Sequence, residues 1–387
     1  MRHDTASIPT RRASLDPRSL HRCCICYRSH VKHVPQTTAW KRRAKFAHAL
    51  LVYHRRQAAR QLRKYEQADG VPLDAATKRT ARQYAGDVLG SPIYAPWLYV
   101  FAKLRGHFKE GWIPLDFFEL IVIRHVNRSL RTLAHPKTFF RRVFPHDAIP
   151  DVAYVLRGVL HDVHFQPVEP AQALQTVFEG IDEVVIKDDG SGRGEAIKVM
   201  TTRDLDVEAL VRDHPNAVVQ RRIRDHPALR LFEDANGTRL RLMTTLTPGY
   251  RPEVRAGFVS FPKAGWAYSA AGFNALVVMD ANRSTLVRSF GVPKPLHRDE
   301  VRIAGDSMVG AAFPAFEEAV RLVTSLHAEV PHLGVIGWDV MIDEEAQPWV
   351  IEWNVGVPGI LQTEAITGPN FMNLGWHDLR WHPDLDG

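Results

Sequence analysis

The sequence predicts an α+β fold with antiparallel sheets, and three observations predict it. Short runs of β-branched and apolar residues, too brief for helices, crowd the chain from about residue 180 onward. Turn signals rather than long helices separate most of them. Helical periodicity dominates the stretch before residue 135. Strands that outnumber helices and follow one another through turns pair antiparallel, whereas a doubly wound parallel sheet needs strand and helix to alternate.

The elements follow in order. Residues 1–37 show no periodicity and are rich in Arg, Ser, His and Pro, which predicts a disordered basic tail. Residues 38–135 read as a helical region. In its first helix Trp40, Ala44, Ala47, Leu51, Ala58, Leu62 and Tyr65 recur at helical spacing opposite a face of Arg and Lys, and Asp69-Gly70 ends it. Further helices are broken at Gly90-Ser91-Pro92 and Gly111-Trp112-Ile113-Pro114. The strand candidates are Val184–Ile186, Ile197–Met200, Ala217–Gln220, Leu240–Thr244, Val277–Met279, Val335–Ile342 and Val350–Ile351, with one clear helix at Phe313–Ala328. No internal repeat is visible.

Composition narrows the function classes. A chain of 387 residues, 45% of them hydrophobic, buries a full core. Its apolar runs, such as Ala49–Tyr53, are too short to span a bilayer, and Arg2, Arg11, Arg12 and Arg18 interrupt any signal-peptide pattern. All three cysteines fall within Cys23–Cys26, so no disulfide framework is expected and a reducing cytoplasm is the expected compartment. Their Cys-Cys-x-Cys order lacks zinc-finger spacing. The net charge of +7 is uneven: residues 1–70 hold 16 Lys and Arg against 4 Asp and Glu, and the rest 34 against 39. We read this basic end as solvated, with nucleic acid not an expected partner.

The most informative segment runs from Gly334 to Asn354. Alternation puts Ile336, Trp338, Val340 and Ile342 on one strand face and Asp339 on the other; Trp349, Ile351 and Trp353 share a face opposite Glu352 and Asn354. Asp343–Pro348 supplies a polar turn. A symmetric closure pairs Ile342 with Trp349 and so sets Asp339 across from Glu352. Two facing carboxylates roughly 5 Å apart repel. A hard divalent cation removes that cost, taking oxygen from both and from the Asn354 amide. Any one of these residues alone reads as a solvated strand face; the three together read as a metal site.

A second segment, Val184 to Met200, sets Gly190, Gly192 and Gly194 between two strands. It is neither a Walker A loop nor a dinucleotide fingerprint, because no Gly-Lys-Ser/Thr and no helix follow. A strand–glycine loop–strand unit can cover phosphates with backbone N–H groups, and Lys187 stands at its base. The same pattern also fits a plain hairpin tip.

Taken together, these pieces resemble the ATP-grasp superfamily, and within it the sugar-transfer-associated, α-L-glutamate-ligase-like group, over about residues 110–360. Gly111-Trp-Ile-Pro and Ala134-His-Pro-Lys137 resemble the lead-in and the first nucleotide-contacting lysine. Val185-Ile-Lys187 with Gly190-Ser191-Gly192-Arg193-Gly194 resembles the second lysine and phosphate-covering loop. Val218-Val-Gln220-Arg-Arg-Ile223, with His226 just beyond, resembles the hinge that contacts adenine. Thr238-Arg-Leu-Arg241 resembles the strand whose arginine faces the transferred phosphate, and Asp339 with Glu352-Trp-Asn354 resembles the magnesium triad. Two departures stand out: Asp339 where many relatives carry glutamate, and no counterpart for residues 1–105.

The resemblance implies an ATP-grasp fold, with a small lobe at 136–220 and a large lobe at 221–387 clasping ATP and one or two Mg²⁺. It implies a ligase that joins a small-molecule carboxylate to an amine through an acyl phosphate. Lys137 and Lys187 are then assigned to the phosphates, Arg241 to the γ-phosphate or oxyanion, and Asp339, Glu352 and Asn354 to the metal. Two alternatives stand beside it. One is a kinase transferring the phosphoryl to a small-molecule or sugar hydroxyl; the other is a nucleotide-binding module without turnover.

Overall fold

The structure, a computed structural model, describes residues 36–189, 197–230, 237–262, 273–280, 285–291, 302–303, 306–307, 310 and 312–380. Residues 1–35 of the expected tail, with its Cys23–Cys26 cluster, lie outside them, as do Gly190, Ser191, Gly192, Arg193 and Gly194. The chain divides into Met1–Phe46 and Ala47–Gly387, and both large sheets belong to the second unit. The fold is α+β: a helical region followed by antiparallel sheets.

Helix α1 (Gln36–Asp69) buries Ala47, His54, Ala58 and Tyr65, a stripe at helical spacing. Helix α2 (Ala75–Asp87) starts at Asp74, whose carboxylate accepts from the Thr77 N–H at 2.7 Å. Helix α3 (Ala95–Arg105) stops at Gly106, whose φ of 93° is cheap only for glycine. Their common core is aromatic, with Phe101 and Phe108 edge-on to Trp112 at 5.7 and 5.6 Å. Residues far along the chain complete it: Phe118 stacks on Phe371 at 5.7 Å, and Ile360, Ala365 and Trp376 join the same cluster. No helix among the described residues is long and apolar enough to cross a membrane.

Glu364, wholly buried in the short helix Leu361–Ile366, ties these two stretches together. Its carboxyl accepts from the Ile113 and Asn370 N–H groups, both at 3.0 Å. Burial pushes its pKa from 4.5 up to about 7, against the pull of those hydrogen bonds. Between these values the folded chain keeps a proton that the unfolded chain releases. Stability from this group is therefore full below pH 4.5 and is lost as pH rises through 7, by on the order of 3 kcal/mol. Asp225, pushed by burial to about 6, adds in the same direction. We expect the unfolding temperature to fall between pH 5 and 8 in thermal melts, and Glu364→Gln to flatten that dependence.

The first sheet holds β1 (Asp151–Leu156), β2 (Val159–Asp162), β3 (Glu183–Asp188), β4 (Ile197–Thr201) and β5 (Asn216–Arg221), in the order β2-β1-β5-β3-β4. The second holds β6 (Arg239–Thr247), β7 (Arg251–Pro262), β8 (Phe273–Asp280) and β9 (Thr285–Gly291). After the two-residue pair β10 (Arg302–Ile303) and β11 (Asp306–Ser307), it is completed by β12 (Val335–Ile342) and β13 (Pro348–Asn354). Its order is β13-β12-β6-β7-β8-β9, and every pairing in both sheets is antiparallel. The helix Phe316–Ala328 lays Phe316, Ala319, Val323 and Leu326 into one core with Leu240, Ile336, Trp338 and Val340 of the second sheet.

Strands β1, β2, β7 and β9, with the short pair β10 and β11, are not among the expected ones. The β1–β2 hairpin turns on Arg157-Gly158, with φ of 52° and 76°, the left-handed pair that Asn-Gly or Asp-Gly ordinarily signals. Arginine in the first position hides that signal. Between the sheets lies a small apolar cluster: Val185 and Ile223 from the first side, Met341 and Ile351 from the second. This cluster brings the polar faces of the two sheets together.

Candidate active site

Strand β12 runs between β13 and β6 and is buried along its whole length. Its even-numbered residues enter the core, so Gly337, Asp339 and Met341 present the other face. Asp339 pairs with Glu352 on one side and with Arg241 on the other. The three charged side chains therefore share one face across three adjacent strands. Asn354 lies two residues beyond Glu352, opposite Gly337.

The Asp339–Glu352 pairing arises through a bulge. The turn closes Ile342 against Pro348, one residue out of the symmetric register, and Val340 pairs with Val350. Ile351 is left over, and beyond it the register returns to Asp339–Glu352. Trp353 is thereby carried to the core face, stacked on Phe140 at 5.9 Å, rather than sharing a face with Trp349 and Ile351 as expected. Freed from the ladder, the Ile351 carbonyl accepts from Lys187 Nζ at 3.4 Å and Gln220 Nε2 at 3.2 Å.

Lys187 (β3) and Gln220 (β5) stand on the face of the first sheet that meets the second. Lys187 is only 2% exposed. Beside them is a residue that sequence reasoning missed, Asp151, at the start of unexpected strand β1. It accepts from Gln220 Nε2 at 2.7 Å and the Tyr154 hydroxyl at 2.8 Å. Burial raises the Asp151 pKa, while these hydrogen bonds and the Lys187 charge pull it back. Recognising the Arg157-Gly158 hairpin would have exposed it.

Arg241 donates through Nε to Asp339 Oδ1, through Nη2 to Oδ2 at 3.0 Å, and through Nη1 to the Pro358 carbonyl at 2.7 Å. Arg239 Nη1 lies 3.7 Å from Asp339 Oδ2. Burial alone raises a carboxyl's pKa; here the charges of Arg241, Arg239 and Lys187 outweigh it and hold Asp339 below the usual range. Gly337 permits this geometry, because a Cβ there would lie 2.8 Å from Pro358 Cβ.

The remaining expected residues are distributed as follows. Ile223 lies in the apolar cluster, while Lys137 Nζ reaches the Asp188 carbonyl at 3.4 Å, at the end of β3 where the glycine stretch begins. Thr138 fastens that approach, donating through N–H and hydroxyl to Asp189 at 3.0 and 2.7 Å. His226 is used locally: its Nδ1 accepts from the Ala228 N–H and its backbone donates to the Ile342 carbonyl. A cavity of about 250 Å³ beyond the end of β5 is lined by Glu183, Arg221, Arg222, Ile223 and Trp349 among others, with the Arg221 guanidinium over the Trp349 ring.

Among the described residues no three His, Cys, Asp or Glu side chains cluster as a metal site. Asp339, Glu352 and Asn354 offer two carboxylates and an amide, the hard oxygen set that magnesium takes when phosphates complete its shell. One observation fits such an ion: Glu352, which faces Asp339 across the ladder, makes no ion pair among the described residues.

No protein-family model matches the chain, and no curated protein matches it. Among solved structures it is similar to a biotin carboxylase β,γ-ATP complex from Campylobacter jejuni, at 9% identity and a TM-score of 0.41, over 67% of this chain and 49% of that one. It is similar to an L-amino acid ligase from Bacillus licheniformis at 14% identity and a TM-score of 0.35, over 64% and 48%. A D-alanine-D-alanine ligase from Coxiella burnetii gives 12% identity and a TM-score of 0.31, over 58% and 48%. The matched part of this chain thus spans about half the length of each.

Proposed function

We propose that this chain is an ATP-dependent ligase of the ATP-grasp type, joining a small-molecule carboxylate to an amine through an acyl phosphate. The observation that carries the reading is the approach of Lys187 on the first sheet to the Ile351 carbonyl on the second, beside the strand face that carries Asp339, Glu352 and Arg241 and a cluster of four apolar side chains. Apolar walls beside a hinge suit a flat heterocycle, and a lysine whose charge acts on Asp339 suits a metal-bound phosphate chain. Magnesium held by Asp339, Glu352 and Asn354 would supply charge neutralisation at the β- and γ-phosphates.

The chain's own residues have these tasks. Val185, Ile223, Met341 and Ile351 bury the base and exclude water. Lys187, aimed by the Ile351 carbonyl, balances phosphate charge; Asp151 and Gln220 brace that carbonyl's surroundings. Lys137 neutralises the outer phosphates, and Arg241 faces the oxygen on which charge develops as the amine attacks. The kinase alternative requires a general base. Of the candidates near the hairpin, Asp343 accepts from Trp349 Nε1 and Glu344 pairs with Arg230, so no specific observation favours that reading.

The test is ATP and magnesium with arrays of carboxylic acid and amine pairs, followed by mass spectrometry. We expect ADP and inorganic phosphate in step with a new amide. ADP accompanied by a phosphorylated hydroxyl would overturn the ligase assignment, and nucleotide binding without ADP would overturn turnover itself.

A further inference from the structure

We propose that Arg241 acts as a stand-in cation on Asp339, so that divalent metal gains its full ligand set only when a nucleotide draws the guanidinium away. The inference rests on the nucleotide reading of this site and concerns the order and coupling of binding, which that reading leaves open.

Three features carry it. First, both Asp339 oxygens are engaged by the planar fork of one guanidinium, and the carboxylate is only 3% exposed. Second, the fork is anchored from behind: its third nitrogen donates to the Pro358 carbonyl at 2.7 Å, and the glycine at 337 admits that loop. Third, the facing carboxylate is not held in the same way: Glu352 makes no ion pair among the described residues.

A divalent ion arriving alone therefore meets one open carboxylate, one amide and one carboxylate already neutralised. To use Asp339 it must displace an arm of a buried two-point pair, stranding a guanidinium where water is scarce. A terminal phosphate offers that guanidinium an equivalent fork of oxygens. Nucleotide thus takes over Arg241, Asp339 turns an oxygen to the ion, and no charge is left unpaired in the exchange. Linkage then requires reciprocity: metal must raise nucleotide affinity by the same factor by which nucleotide raises metal affinity.

The experiment uses the full chain, Mn²⁺ as the metal probe and adenylyl imidodiphosphate as the nucleotide. Mn²⁺ binding without nucleotide is followed by electron paramagnetic resonance, and nucleotide binding with and without Mn²⁺ by calorimetry. Wild type should bind Mn²⁺ alone weakly. Arg241→Ala should bind Mn²⁺ alone about tenfold more tightly, and its metal–nucleotide coupling should shrink by the same factor. Arg241→Lys, which loses the fork and keeps the charge, should fall between them and covers the case in which the alanine variant fails to fold. Asp339→Asn should abolish the gain when added to Arg241→Ala. If Mn²⁺ alone binds wild type and both Arg241 variants equally while the Mn–nucleotide pair binds normally, the exchange is overturned and the nucleotide site stands. If wild type binds neither probe, singly or together, the nucleotide reading itself falls and the exchange with it.

Discussion

Glu352→Gln is expected to lower ADP production about a thousandfold while leaving the unfolding temperature within a few degrees of wild type. The two effects separate because of where Glu352 sits. Its carboxylate faces Asp339 across the ladder and makes no ion pair among the described residues, so an amide of the same shape breaks no structural contact. Removing one of two facing negative charges even relieves repulsion. In the proposed site the substitution would remove half of the anionic charge available to a phosphate-bound metal, and such charge stabilisation is worth several kcal/mol in the transition state. At 1.36 kcal/mol per tenfold, about 4 kcal/mol is a thousandfold. A coupled ADP assay beside a thermal melt measures both sides; near-normal ADP release with magnesium would remove Glu352 from the metal site.

Arg241→Ala is expected to cost about a hundredfold in kcat with a much smaller change in the dissociation constant of Mg-ATP. Arg241 projects from the middle of β6, between β12 and β7, on a strand too constrained to drift. In the proposed ligase reaction, charge on the oxygen that Arg241 would face grows as the amine attacks, so that contact would strengthen toward the transition state. Losing one such donor costs about 3 kcal/mol. In the ground state the alanine variant loses a phosphate contact but also no longer has to part the guanidinium from Asp339, and these changes oppose each other. Arg241→Lys, without the planar fork, should be impaired to a lesser degree. Steady-state kinetics and calorimetry together decide the matter: if Mg-ATP binding collapses and kcat stays near wild type, Arg241 anchors nucleotide and does not assist the chemical step.

The parts of this site that were legible in the sequence were local in the chain. The Gly334–Asn354 hairpin announced itself through alternation and a polar turn, and the Asp339–Glu352 pairing was read correctly, though for an incomplete reason. The expected closure of Ile342 on Trp349 does not occur; the bulge at Ile351 compensates for the shifted turn, and no residue type there marks it. What was illegible was non-local. Asp339 and Arg241 are 98 residues apart and meet only because β6 was inserted beside β12. Asp151 escaped with its strand, since the hairpin that defines β1 turns on an arginine held at positive φ. Strand β7 was hidden by its own composition, with Arg251, Pro252, Glu253 and Arg255 breaking the apolar alternation at its entry.

The core shared by the helical region and residues 360–376 bears on how the chain is made. Trp112 and Phe118 emerge from the ribosome early, but Ile360, Phe371 and Trp376, which close the same cluster, follow only after both sheets have been synthesised. The Ile113 N–H waits 251 residues for the Glu364 carboxyl that accepts from it. Until then the helices hold a large apolar surface open to water, the condition under which nascent chains recruit chaperones or aggregate. Residues 360–376 thus complete a core begun more than 250 residues earlier, and their synthesis, rather than the folding of either sheet, becomes the event that commits the helical region to its native packing.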